Sequence, residues 1–150
     1  MQQISTQTRF GILTITAETG AITRLDWGGG ARSDDPLLIE ASAQLRAYDD
    51  GRLEQFDLPL RITGGRFQQA VCAQMSKIPF GYTRSYGEIA DALDASARAV
   101  GRACGGNPIP IIIPCHRVMG TKGLTGFSGA GGVETKVALL RHEGAAGLLI

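Results

Sequence analysis

A cysteine, a histidine and an arginine stand side by side at Cys115, His116 and Arg117, inside the stretch NPIPIIIPCHRV at residues 107–118. A thiol attacks carbon only as the thiolate, and an ordinary cysteine, with a pKa of about 8.5, is mostly protonated near neutral pH. To act as a nucleophile, Cys115 needs a base or a positive potential close by. His116 is the nearest candidate base. An imidazole that accepts a proton needs a carboxylate behind it to hold its tautomer, as in hydrolytic triads. VETKVALLRHEG supplies one. It reads as a last helix with Val133, Val137 and Leu140 inward, and Glu143 falls on about the same face. A buried glutamate beside an apolar stripe requires a partner. The competing reading is a core strand in which Cys115 only packs.

Geometry bears on the choice. After Pro108 the chain cannot be helical for long, and IPIII reads as an extended buried segment. Adjacent side chains on a strand point to opposite faces. Cys115 and His116 can act together only if the backbone bends there or a water bridges them.

The remaining sequence must position this stretch. At 150 residues, 43% hydrophobic and 19% charged, the chain reads as globular, with length for one domain, or one domain with a small appendage. No apolar run approaches membrane-spanning length. MQQISTQTRF lacks the apolar core of a leader peptide, so the expected compartment is the cytoplasm. Cys72, Cys104 and Cys115 are odd in number and show no CxxC pair, so free thiols are expected. With His116 and His142 as the only histidines, a four-ligand zinc site is not expected, and no cofactor is implied. His142 is assigned no role.

Net charge is only +1, but its distribution is uneven. Residues 1–57 hold nine acids and five bases, and residues 58–150 hold ten bases and five acids. From Ala95 to Val133 there is no acid, only Arg98, Arg102, Arg117 and Lys122. Such a run can attract phosphate or can simply be solvated surface.

FGILTITA and AITRLDW around ETG predict an N-terminal hairpin. Asp35 with Pro36 predicts a helix start, and Leu38, Ala41, Leu45 and Tyr48 recur at helical spacing. RFQQAVCAQM repeats the pattern with Phe67, Val71 and Met75 on one face and Cys72 in the core. SYGE is a capping box that opens a short helix through Ile89, Ala90 and Leu93. DAS turns, Ser96 caps again, and ARAVGRAC forms a second short helix, in which Cys104 packs. Two short capped helices with a three-residue turn fit a helix-turn-helix, or an ordinary helical hairpin. The expected fold is a small α/β N-terminal domain, sheet plus helix, over residues 1–62. A mainly helical domain is expected over residues 63–150, which on the helix-turn-helix reading, and with Cys115 as nucleophile, would be DNA-binding and catalytic.

PCHRV, preceded by RAVGRACGGNP and followed by LTGFSG and LLRHEG, resembles the 6-O-alkylguanine-DNA alkyltransferases. FQQAVCAQMSKIPFGYTRSYGEIA fits the same pattern, and the strong resemblance covers residues 67–144. It implies DNA repair by direct, irreversible transfer of an alkyl group from 6-O-alkylguanine, and 4-O-alkylthymine, to Cys115. The partner would be double-stranded DNA containing alkylated guanine, entered from the minor groove. No membrane, no cofactor and no obligate protein partner are implied. His116 would act through a water as base, Glu143 would orient it, and Asn107 would hold the turn before the cysteine. Tyr86 would donate a hydrogen bond to the leaving guanine. Arg98 would replace the flipped nucleotide, and Ser85, Ala99, Arg102 and Ala103 would line the DNA. Val118, Phe127, Ser128 and Lys136 would lie at the guanine pocket. Phe127 stands where the family often has tyrosine, and Cys72 where it often has tryptophan. Two other functions fit fewer of these residues: a non-catalytic binder of alkylated DNA, and a cysteine hydrolase built on Cys115, His116 and Glu143.

Overall fold

The computed structural model describes residues 1–120 and 132–145. The chain divides into two compact units, Met1–Thr63 and Gly64–Ile150. In the first, β1 (Gln2–Thr8), β2 (Gly11–Glu18) and β3 (Ala21–Trp27) form an antiparallel sheet in chain order. The expected hairpin is β2–β3. Its turn residues Thr19 and Gly20 both have positive φ, which suits the strand twist. Strand β1 was not anticipated, because hydrophobic alternation alone misses it. Ser5 bonds Thr14 at 2.6 Å and Thr6 bonds Ser42 at 2.7 Å, so hydroxyl pairs serve where apolar contacts would be sought. Helix α1 (Pro36–Asp49) lies against β1 and β2 and buries the anticipated Leu38, Ala41, Leu45 and Tyr48. Asp35 sits at its N-cap, yet its side chain makes no capping bond.

The second unit is mainly helical. Helix α2 (Arg66–Ser76) buries Val71, Cys72 and Met75. Phe67, expected on that face, is 38% exposed in its first turn. The two-residue strand β4 (Arg84–Ser85) leads into α3 (Tyr86–Leu93), and α4 (Ala97–Gly105) follows. The capping box forms as read: the Glu88 amide donates to Ser85 Oγ at 3.0 Å, and the Ser85 amide donates to Glu88 Oε1 at 2.8 Å. Asp94 takes the left-handed conformation between the helices, which aspartate tolerates better than most residues. Ser96 Oγ then accepts from the Ala99 amide at 3.1 Å. These local bonds make the turn between α3 and α4 short and definite.

Strand β5 (Val118–Met119) pairs in parallel with β4, placing Val118 beside Arg84 and Met119 beside Ser85. The cysteine segment is thereby tied to the start of α3. Helix α5 (Val133–Glu143) completes the described unit. Its inward stripe differs from the one expected. Lys136, Leu139, Leu140 and Glu143 are buried, whereas Val133 is 46% exposed and Val137 is only partly covered. Glu143 and Leu140 do share the inward face, but the helix is rotated so that a lysine, which no apolar pattern would select, joins it. Among the described residues no helix is long and apolar enough to cross a membrane.

Substituting Ser85→Ala removes the acceptor for the Glu88 amide and should cost about 1 kcal/mol of stability. Urea unfolding should show a lower midpoint with an unchanged slope. An unchanged midpoint would show that the cap contributes nothing here.

Candidate active site

Three prolines shape the approach to Cys115. Pro108, Pro110 and Pro114 donate no backbone hydrogen bond, so this stretch cannot pair as a central strand. The extended reading of IPIII is therefore corrected: the segment is buried but folded back on itself. Ile111 has φ of 72°, rare for a β-branched residue, and the Ile113 amide returns to the Ile109 carbonyl at 2.9 Å. Asn107 closes the loop from inside. Its Nδ2 donates to the Ile113 carbonyl at 2.8 Å, and its Oδ1 accepts from the Ile109 amide at 3.0 Å. Beyond Pro114 the chain forms a single 3-10 turn, Cys115–Arg117. Successive side chains there are turned by about 120° rather than 180°, which removes the difficulty that a strand would pose for neighbouring residues acting together.

The carboxylate of Glu143 is the hub. Its Oε2 lies 2.8 Å from His116 Nε2. Arg117 Nε donates to Oε1 at 2.8 Å and Arg117 Nη2 to Oε2 at 3.0 Å, a two-pronged ion pair. Arg117 Nη1 donates to the Ile78 carbonyl at 2.6 Å, and its guanidinium stands over the Phe80 ring. The side chains of His116 and Glu143 are fully buried and that of Arg117 nearly so. Burial pushes the Glu143 carboxyl up, but hydrogen bonds from His116 and Arg117 and the charge of Arg117 reverse this and hold it at about 2. Burial pushes His116 down, against the pull of Glu143. The site thus holds an ionised carboxylate and a neutral imidazole. With Nε2 donating to Glu143, the lone pair is on Nδ1, which is buried and has no hydrogen-bond partner among the described residues. A buried acceptor without a partner is unusual and suited to receiving a proton.

Cys115 itself is 5% exposed. Burial raises its thiol to about 11, with the Asn107 amide and the Lys136 charge pulling the other way. At rest it is a thiol, so attack requires that its proton be removed as the reaction proceeds. Cys104 is buried, at about 12 for the same first reason, and its Sγ rests 3.5 Å from Met75 Sδ. Cys72 is likewise raised by burial. Tyr86, at the head of α3, is pushed to about 12 by burial and by the neighbouring thiol groups of Cys104 and Cys115, so its phenol remains a donor. Lys136 reaches across from α5, donating to the Val118 carbonyl at 2.6 Å and standing over the Tyr86 ring. Cys115, His116, Glu143, Asn107, Tyr86, Val118 and Lys136 therefore belong to one neighbourhood. Phe127 and Ser128 lie outside the described residues. Among the described residues, no three histidine, cysteine or acidic side chains converge as metal ligands would.

On α4, Arg98 and Arg102 are exposed and Ala99 is partly exposed, while Ser85 is half-buried at the head of α3. Ala103, expected to line DNA, is 6% exposed and belongs to the core, because it lies on the same side of α4 as Val100. Arg117, counted above in a basic run, is an internal cation and no part of a phosphate-facing surface. Sequence reasoning missed its partnership with Glu143. A signal was available: a buried acid needs a cation, and Arg117 sits within an apolar stretch beside the very histidine assigned to that acid.

The chain is similar to known proteins over most of its length. Residues 66–145 match the family model described as 6-O-methylguanine DNA methyltransferase, DNA binding domain. The methylated-DNA–protein-cysteine methyltransferase of Mycobacterium tuberculosis H37Rv is 54% identical over 103 residues, 67% of this chain and 61% of that protein. The protein of the same name from Mycolicibacterium paratuberculosis is 50% identical over 134 residues, 87% of this chain and 78% of its own. A crystal structure of Mycobacterium tuberculosis OGT in complex with DNA superposes with a TM-score of 0.85 at 43% identity, covering 96% of this chain and 93% of that one.

The ionic hub implies acid lability. Glu143 is depressed in the folded state, from 4.5 to about 2, so its stabilisation is complete above about pH 4.5 and is lost as pH falls toward 2. That shift corresponds to about 3 kcal/mol. His116, also lowered on folding, adds loss in the same direction below its unfolded value of 6.5. Urea unfolding between pH 7 and pH 3 should show stability falling, with a shallower fall in Glu143→Gln. Identical slopes in the two proteins would refute the assignment.

Proposed function

This chain belongs to the 6-O-methylguanine-DNA methyltransferase family, and from that premise we propose that it repairs DNA by moving the alkyl group of 6-O-alkylguanine irreversibly to Cys115. The observation that carries the reading is the buried His116–Glu143 pair next to Cys115, in which the ring's unpartnered nitrogen is a proton acceptor. The cysteine proton passes through one water to His116 Nδ1. The sulfur attacks the alkyl carbon, the carbon–oxygen bond breaks, and a guanine anion leaves. Tyr86, held protonated, stabilises that charge where it develops. The net step moves one alkyl group from oxygen to sulfur and one proton from sulfur to guanine. 4-O-alkylthymine offers the same kind of carbon–oxygen bond and is a second substrate.

An alkyl group on a stacked guanine is out of reach, so the nucleotide must be flipped, at a cost of a few kcal/mol. Arg98 fills the gap from the minor groove, and Arg102, Ser85 and Ala99 contact the strands around it. Val118 and Lys136 bound the guanine pocket. The product is a thioether, with no carbonyl or phosphoryl centre for water to attack. Neither His116 nor Glu143 can make its carbon–sulfur bond a good leaving bond, so each molecule acts once.

With excess duplex carrying 6-O-methylguanine, the intact protein should gain one methyl group, mapped by peptide digestion to Cys115. Cys115→Ser should bind the DNA but gain no mass, since a hydroxyl ionises far less than a thiol. More than one lesion repaired per molecule, or methyl on Cys72 or Cys104, would sink the mechanism. For Arg98→Ala, transfer from duplex should slow by more than transfer from a single strand containing the same base. Equal slowing on both would exclude a role in extrusion.

A further inference from the structure

We propose that Arg117 is a positioning residue for this transfer: clamped by the Ile78 carbonyl, its guanidinium holds the Glu143 carboxylate so that His116 keeps Nε2 as donor and Nδ1 as acceptor toward the thiol. The inference rests on the reading above and deepens it. Three features carry it. The guanidinium grips both carboxylate oxygens, so the plane of the carboxylate is set, and the oxygen facing His116 is one it also touches. The third guanidinium nitrogen is fixed to backbone just beyond α2, which anchors the clamp to an element other than α5 or the turn itself. All three side chains are shut away from solvent, where an unneutralised carboxylate would take its countercharge from the nearest group able to supply it.

That group is His116. Glu143 and Lys136 on α5 and Arg117 in its own turn act on it electrostatically, while Cys72 on α2, Tyr86 on α3 and Cys104 on α4 are coupled to the adjacent Cys115. Lys136 is committed to the Val118 carbonyl, and the thiols and phenol are neutral at rest. Without Arg117, Glu143 would draw a proton onto His116. The ring would then be imidazolium, both nitrogens would be donors, and the acceptor for the cysteine proton would be gone. Arg117 thus keeps the base basic by supplying the positive charge that the base would otherwise supply. A lysine could give the charge but not the two-pronged grip.

The test compares wild type, Arg117→Met, Arg117→Lys, Glu143→Gln and the double variant Arg117→Met/Glu143→Gln. Single-turnover methyl transfer to Cys115 is measured from pH 6 to pH 9, and the His116 ring is titrated by NMR in the absence of DNA. Arg117→Met should slow transfer at least tenfold at pH 7, recover toward higher pH, and raise the His116 midpoint by at least one unit. Arg117→Lys should fall between it and wild type. In the Glu143→Gln background, Arg117→Met should change the rate less than threefold and move the midpoint by less than it does with Glu143 present. The double variant also removes both members of the buried ion pair, so it serves if Arg117→Met alone does not fold. Equal rate loss at every pH with an unmoved His116 midpoint, or equal loss in both backgrounds, would overturn the proposal. If wild type transfers no methyl group, the functional reading fails, while the His116 titration still decides whether Arg117 governs the ring.

Discussion

A carboxylate with no exposure to water cannot stand alone, and much of the second unit is arranged around that constraint at Glu143. The carboxylate brings the end of α5 against the Cys115–Arg117 turn. It takes two hydrogen bonds from Arg117 and one from His116, so adjacent residues of one tight turn serve a single acid. A 3-10 turn permits this and a strand does not. The prolines and the left-handed Ile111 that prevent a strand are thus part of the same arrangement as the ion pair. Asn107, whose amide spans the loop from Ile109 to Ile113, keeps that backbone in place without adding charge.

The electrostatics around the thiol are restrained rather than activating. Cys115 is held as a thiol by burial, His116 as a neutral ring, and Tyr86 as a phenol. In the proposed reaction these states are the useful ones. A permanent thiolate would react with any small electrophile, whereas a thiol beside a neutral base becomes nucleophilic only when an alkyl group and a leaving group are in line. Lys136 lies between the two ends of that reaction, its ammonium near both the Tyr86 ring and the Cys115 thiol. Among the described residues, it and Arg117 are the two internal cations of the site, and each is anchored on a backbone carbonyl as well.

Local bonding was legible in the sequence because it depends on neighbours. The capping box at Ser85 and Glu88, the second cap at Ser96, the β2–β3 turn and the core side of α1 all involve residues a few positions apart. The motif around Cys115 was legible for a different reason. Proton transfer to and from a thiol admits few residue types, so cysteine, histidine and a distant glutamate could be named together before their geometry was known. Strand β1 escaped notice because its side chains meet β2 and α1 through hydroxyl pairs, and no periodicity of apolar residues announces it.

The sequence by itself therefore determined which elements form at their ends and which atoms can do the chemistry. The tertiary structure alone decided the bend at Cys115, the rotation of α5 that buries Lys136 instead of Val133, and the withdrawal of Ala103 and Arg117 from the surface. Each of these depends on what a side chain meets from another element. Arg117 is the clearest case. Along the chain it is one more arginine in an acid-free run. In space it is 2.8 Å from a carboxylate that lies 26 positions away, and that distance turns a surface charge into an internal one. Helix and turn propensities act over a few residues, whereas the pairing of a buried charge is settled only when the elements carrying its partners have packed.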